Sequence, residues 1–132
     1  MCKYICLAVV LVSLVAFVST AAHLHYAHLS DANLTDVDLS GADLSGTNMT
    51  DVDLSGANLT HADLTGANLS GADLTGVNLS GAFLNNADLS DTDLEGTDLS
   101  GSSYNCDTIF PPGFSPDAEG MLDTSEGSFF EL

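Results

Sequence analysis

Apolar and polar positions alternate along this chain with a period of five residues. In a unit such as 42–46, Ala-Asp-Leu-Ser-Gly, the first and third slots are small or apolar and the other three are polar or Gly. The pattern runs from Ala27 to Gly101, and its third slot is Leu in every unit except at Met49. Residues two apart share one side of an extended chain. The pattern therefore predicts short extended segments that each bury a first-slot and a third-slot side chain.

This period excludes the common regular structures. A five-residue step turns an α-helix by about 140° net, so Leu34, Leu39 and Leu44 would scatter around it. A long strand fails as well, because its inward positions must recur every two residues. Apart from Glu95 and His61, the fourth and fifth slots hold Ser, Thr, Asp, Asn and Gly, which favour turns. A chain that bends once per unit winds into a coil, and stacked coils pair their backbones about 4.8 Å apart.

The units resemble the pentapeptide-repeat family, whose consensus is Ala-Asp/Asn-Leu-x-x. The resemblance implies an all-β fold, a right-handed four-sided β-helix with four units per coil and about four coils in this chain. Residues twenty apart would then stack on one face. The resemblance also extends the repeat through 102–111, with Tyr104 and Ile109 in the Leu slot. The segment 110–116 resembles the Phe-Pro-x-Gly-Phe-x-Pro ending common in the family.

The two ends of the chain differ from the repeat. Residues 1–22 predict a signal peptide, with Lys3, an apolar run and small residues that favour cleavage after Ala21 or Ala22. This predicts a secreted or periplasmic protein, and the alternative is a membrane anchor formed by residues 5–22. We predict the β-helix over residues 23–111 and a C-terminal cap with an acidic tail over 112–132.

Acidic residues dominate the charge. The sequence has 19 Asp and Glu against one Lys or Arg, which gives a net charge of -18. Stacking by twenty predicts a binding surface from second-slot residues on two faces: Asp53, Asp73 and Asp93 on one, and Asp43, Asp63 and Phe83 on another. Carboxylates about 4.8 Å apart repel by about 0.9 kcal/mol in water-like dielectric. We therefore expect this crowding to raise their pKa values.

Three explanations of the acidity stay open. A solvated acidic surface keeps a repeat protein soluble. A saline habitat favours the same composition, because salt screens the repulsion. The third explanation is a cationic partner: a basic protein, a polycation or Ca²⁺. None of the three predicts binding to nucleic acid, or to a membrane once the signal peptide is removed.

Catalytic chemistry has no signature in this sequence. Ser and Asp occupy outward repeat slots, no His lies where it would orient a Ser nucleophile, and no spacing predicts a cofactor. The His-rich segment near the predicted cleavage site gives weak metal candidates, His23, His25 and His28, since imidazole suits copper, zinc or nickel. Phe83 replaces the usual Asp or Asn and is the best candidate contact point.

The sequence thus predicts an exported, non-catalytic β-helix that serves as a structural or protein-binding module with an acidic surface. The alternative is an acidic DNA mimic that binds a type II topoisomerase or another DNA-binding protein. Some pentapeptide-repeat proteins mimic DNA in this way, and an acidic rod without basic residues fits such a mimic. Export and a rod of only roughly 20 Å argue against it.

Overall fold

Parallel backbone pairing between residues twenty apart organises the whole molecule. The computed structural model describes residues 24–125. His28 pairs with Asn48, Asn48 with Asn68, and Asn68 with Asp88, all in parallel. Equivalent series run up the other three sides, so four units make one coil. The four-sided β-helix and its register are confirmed.

The outward second-slot residues form four faces, which we number in chain order. Face 1 carries His28, Asn48, Asn68, Asp88 and Ile109; face 2 carries Asn33, Asp53, Asp73 and Asp93; face 3 carries Asp38, Asn58, Asn78 and Asp98; face 4 carries Asp43, Asp63, Phe83 and Ser103, extended by Leu122.

Three backbone bonds join a regular unit, which we call a rung, to the next rung on the same face. One runs from the fifth-slot N–H, as from Asp36 to the carbonyl of Ser55 at 2.9 Å. The third-slot N–H donates upward, as from Leu34 to the carbonyl of Asp53 at 2.7 Å. The N–H of Asp53 donates downward to the carbonyl of Ala32 at 3.0 Å. The Leu side chains between these bonds point inward, and Leu54, Leu64 and Leu74 are fully buried. The Leu column and the backbone ladder therefore depend on the same register.

Each corner is a four-residue turn that needs a left-handed residue in the fifth slot. The N–H of Ala62 bonds to the carbonyl of Leu59 at 3.0 Å, and His61 between them has φ 58°. A positive φ at the third residue of a turn is the mark of a type II turn and favours Gly or Asn. At several corners a fifth-slot side chain lies against the Gly one coil above. The pairs are Tyr26 with Gly46, Asp36 with Gly56, Asp51 with Gly71, and His61 with Gly81.

The N-terminal end holds one more unit than the sequence pattern indicates. Leu24 donates its N–H to the carbonyl of Asp43 at 2.8 Å, as a third-slot residue does. Tyr26 has φ 58° and occupies a fifth slot. The repeat signature is readable only from Ala27, and this additional unit lies within the range 23–111 predicted for the β-helix. Residues 24–26 already follow the backbone of the coil above.

The C-terminal end is covered by a coil that departs from the repeat. Its regular elements are strand β1, Ser103–Tyr104, a 3₁₀ helix, Pro116–Glu119, and strand β2, Leu122–Asp123, which pairs with β1 in parallel. Phe110 stacks on Phe114 with ring centroids 4.9 Å apart. Both rings pack on the core, and Met121 is buried nearby. Apolar side chains thus close the top of the Leu column.

One predicted slot in this last coil is wrong. Ile109 does not take the Leu slot: it pairs with Asp88 on face 1 and is 52% exposed. The cause is one extra residue at the corner, where the turn closes from the Asn105 carbonyl to the N–H of Thr108. The side chains of Asn105 and Asn86 hold this wider corner through a 2.9 Å hydrogen bond. Phe110 then packs against the core instead.

Several predictions fall on parts of the chain that the structure does not describe. The predicted signal peptide at 1–22 and residues 126–132 of the predicted cap and tail lie outside residues 24–125. The boundaries at 22 and 112 stay predictions. Within the described part, no helix has the length and apolar character needed to cross a bilayer.

The assignment of inward and outward slots predicts contrasting effects for neighbouring substitutions. Leu64→Asp places an unpaired charge in the buried column, so it should cost at least the roughly 3–5 kcal/mol of a buried Leu→Ala change. Asp63→Asn keeps the oxygen that accepts the N–H of Thr65 at 3.0 Å and should change stability little. Urea denaturation measures both. Equal losses would contradict the assignment.

The corner geometry predicts which residues a fifth slot tolerates. Gly76 has φ 66°, and a side chain there would lie against Gly96, as Asp36 lies against Gly56. Gly76→Asn should therefore cost less than about 0.5 kcal/mol, whereas Gly76→Val should cost about 1–2 kcal/mol in this backbone conformation. Thermal unfolding of the two variants would show the difference, and a tolerated Val would disprove a left-handed requirement.

Candidate interaction surface

The second-slot oxygens mostly serve the turns of their own units. The Oδ1 atom of Asp43 accepts the N–H of Ser45 at 3.1 Å and its hydroxyl at 2.6 Å. Asn58 does the same for Thr60, at 3.1 and 2.6 Å. Asp and Asn form such turns readily because their short side chains reach the backbone two residues on. Asp and Asn at this slot therefore have a structural role, whatever else the surface does.

These bonds reverse the pKa shift that crowding predicts for Asp53. The hydroxyl and then the N–H of Ser55 donate to the carboxylate, and together they lower its pKa below the usual 3.8. The N–H and hydroxyl of Ser40 lower the pKa of Asp38 in the same way. The expected rise is thus wrong for Asp53, because hydrogen bonds to the charged form outweigh its desolvation by burial.

Some rungs also interact with their neighbours along a face. Asn58 donates from Nδ2 to Oδ1 of Asp38 at 3.2 Å, so an amide separates carboxylates on face 3. At a corner beside face 4, the Nδ1 atom of His25 lies 3.8 Å from Oδ2 of Asp43. An Asn between acids reduces their repulsion.

The histidine candidates do not assemble into a metal site in the described part of the chain. His23 lies outside the described residues. His25 faces Asp43 across a corner, whereas His28 is an ordinary second-slot residue paired with Asn48. Across residues 24–125, no three His, Cys, Asp or Glu side chains are grouped to hold a metal ion.

The structure brings the predicted surface residues together by face. Asp53, Asp73 and Asp93 are consecutive rungs of face 2. Exposed acids on the two flanking corners widen this acidic area: Asp31, Asp36, Asp51, Asp91 and Glu95. Face 2 is therefore a hydrophilic surface on which successive rungs carry carboxylates. Whether it binds a partner stays a prediction.

Face 4 differs from the other faces in its upper half. Phe83 is 48% exposed and Leu122 is 58% exposed, with Ser103 on the rung between them. Sequence reasoning singled out Phe83 but missed Ser103 and Leu122. The sequence gives no signal for Leu122, because β2 follows a non-repetitive segment and joins face 4 only through bonds such as Leu122 N–H to the Ser102 carbonyl.

Known proteins share this arrangement. The chain matches the family described as pentapeptide repeats, with 8 copies over residues 20–51, 53–91 and 67–103. A crystal structure of a pentapeptide repeat protein from Nostoc Pcc 7120 is 39% identical and superposes with a TM-score of 0.74, covering 75% of this chain and 82% of that one.

The chain belongs to the pentapeptide-repeat family. A further member, from the cyanobacterium Cyanothece 51142, is 38% identical over 63% of this chain and 60% of its own, with a TM-score of 0.40. QnrB1, a plasmid-mediated fluoroquinolone resistance protein, is 20% identical over 82% of this chain and 43% of its own, with a TM-score of 0.37. Comparison with curated proteins found none that matches the chain. Pentapeptide-repeat proteins form right-handed, four-sided β-helices, in agreement with the register described above.

The lowered pKa values predict the response of this pentapeptide-repeat protein to acid. A carboxyl whose folded pKa is depressed contributes stability above its unfolded pKa, near 3.8, and the contribution is lost as pH falls through the folded pKa. The urea concentration at the unfolding midpoint should therefore decrease once the pH is lowered below about 3.8. Asp53→Asn keeps the Oδ1 acceptor but binds no proton, so the fall should be shallower. A wild type that gains stability in acid would mean that repulsion dominates.

Proposed function

We propose that this protein is an exported, non-catalytic module that binds a basic protein or polycation through its acidic surface. The observation that supports this most is how the polar groups are used. The second-slot oxygens are committed to the turns, so the regular faces present a fixed pattern of charge. Such a surface suits recognition by shape and electrostatics.

The charge balance supports the class of partner. The sequence carries a net charge of -18, and its one cationic side chain, Lys3, lies in the predicted signal peptide. An acidic rod attracts cationic partners over roughly 8–10 Å at physiological salt. Face 2 and its corners form the most extended acidic area, which suits long-range attraction. Ca²⁺ remains a weaker candidate, since residues 24–125 gather no metal-binding cluster.

Export decides between this proposal and the DNA-mimic alternative. The high negative charge favours mimicry as well, but a mimic must reach DNA-binding proteins such as type II topoisomerases. A protein outside the cytoplasm does not meet them. The fate of residues 1–22 therefore separates the two functions.

The first test is made on protein from the native host. Intact-mass analysis should show that residues 1–21 or 1–22 are missing, and fractionation should place the product outside the cytoplasm. Retention of Met1 in a membrane fraction would support the anchor formed by residues 5–22. Full-length protein in the cytoplasm, together with inhibition of a type II topoisomerase that DNA relieves, would establish the mimic instead.

Binding to a partner is tested separately. Photoreactive residues at several outward slots, one on each face, should form crosslinks to protein in the native compartment. Added polylysine should compete with these crosslinks if the partner is basic. Crosslinks that added polylysine does not reduce would contradict the charge-based proposal.

A further inference from the structure

The upper half of face 4 interrupts the polar surface of the β-helix. Read from the N-terminal end, the face presents Asp43, Asp63, Phe83, Ser103 and Leu122 on successive rungs. Phe83 and Leu122 expose about half of their surfaces, at 48% and 58%. A single exposed aromatic residue needs no explanation. Two large apolar residues on either side of one rung form a patch, which we call the face-4 patch.

The rung inside the face-4 patch holds an unpaired polar group. Ser103 is only 8% exposed although it occupies an outward slot. Its Oγ atom is the one buried side-chain oxygen or nitrogen without a hydrogen-bond partner in the described residues. Buried polar groups are nearly always paired. The hydroxyl is shielded from solvent, so this rung breaks the regular polar pairing of face 4.

A second polar group on face 4 loses its usual partner at Phe83. In a regular unit the fourth-slot N–H donates to the second-slot oxygen, as Thr65 donates to Asp63 at 3.0 Å. The side chain of Phe83 has no oxygen, so it cannot accept a hydrogen bond from the N–H of Asn85. The patch thus combines apolar surface with a hydroxyl that has no hydrogen-bond partner among residues 24–125.

We propose that the face-4 patch, with Asp63 directly below it, is a docking surface for an arginine-containing segment of a partner protein. Asp63 and Phe83 are adjacent rungs, about 4.8 Å apart along the face. A guanidinium can stack on the Phe83 ring and reach the Asp63 carboxylate at the same time, because it is planar and carries donors on its edge. An apolar side chain of the same segment covers Leu122 and Ser103.

Arginine distinguishes this occupant from the protein itself. The sequence contains a single Lys or Arg, Lys3, so a second copy brings no guanidinium to the patch. The C-terminal residues 126–132 include Phe129 and Phe130, and they also include Glu126 and Glu131, which Asp63 would repel. Charge complementarity therefore favours a different, basic chain over either internal occupant.

The proposal deepens and rests on the proposed function, since it names the face and the residue type that recognise a basic partner. Face 2 attracts cations over distance but offers no apolar anchor among its second-slot residues. Face 4 combines an aromatic ring, an aliphatic side chain and a carboxylate. Interfaces gain most of their affinity from such desolvated aromatic and arginine contacts.

The test uses the full mature chain and a short fluorescent peptide in which Arg alternates with Leu. Three variants are compared by fluorescence anisotropy. Phe83→Asn restores the residue type that this slot holds elsewhere and should fold. Asp63→Asn and Asp73→Asn form a matched pair, because both carboxylates accept a Thr N–H, at 3.0 and 2.9 Å, and both changes remove one charge.

Phe83→Asn and Asp63→Asn should each weaken binding by about tenfold, whereas Asp73→Asn on face 2 should change it by less than about twofold. Lys in place of Arg should bind several times more weakly, and Glu should abolish binding. Equal losses for Asp63→Asn and Asp73→Asn, with no effect of Phe83→Asn, would overturn the patch. The protein would then bind by diffuse charge, and the proposed function would stand.

Two further results would overturn the proposal in favour of an internal occupant. A peptide affinity that rises more than about tenfold when Phe129 and Phe130 are changed to Ser would mean that the C-terminal segment fills the patch. A dimer in sedimentation that Phe83→Asn dissociates would mean that a second copy does. If the wild type binds no Arg-Leu peptide, this proposal is wrong. Crosslinking in the native compartment tests the proposed function independently.

Discussion

The backbone bonds between residues twenty apart hold this molecule in one register, and the other features follow from it. Each rung donates both upward and downward, as Asp53 and Leu34 show. A shift by one residue would turn a Leu outward and an Asp inward, and burying a charge without a partner is costly. The Leu column and the ladder therefore enforce each other. A regular period is needed because each coil is the template for the next.

That constraint also explains why so much of the polar surface is structural. Every unit must bend at its corner, and an Asp or Asn two residues earlier satisfies the N–H that the bend leaves open. The hydroxyl of Ser45 or Ser55 adds a second bond to the same oxygen. Serine and carboxylate side chains that resemble catalytic groups in a sequence thus form hydrogen bonds to each other within the repeat units. Positions where the repeat is broken carry more information about recognition than positions where it is kept.

The regular part of this fold could be predicted from the sequence because it depends on one repeated local rule. The slots, the faces and the twenty-residue stacking all follow from the period and the family consensus. The pKa direction of Asp53 was missed because spacing alone shows the neighbouring charge but hides the bonds from Ser55. The repeat signature does not show the unit around Leu24, because His25 and Tyr26 stand where Ser and Gly are usual. Ile109 was misplaced because one extra residue at a corner shifts every later slot.

The features that the sequence could not show are the ones that bear on specificity. Leu122 reaches face 4 after a non-repetitive segment, and only the pairing of β2 with β1 puts it beside Ser103. The hydroxyl of Ser103, which has no hydrogen-bond partner among residues 24–125, lies on the rung between Phe83 and Leu122. A repeat makes its faces nearly equivalent, so a partner can distinguish them only by such exceptions. Face 4 is where the exceptions meet, and a chain without arginine leaves the cation for that face to be supplied by another molecule.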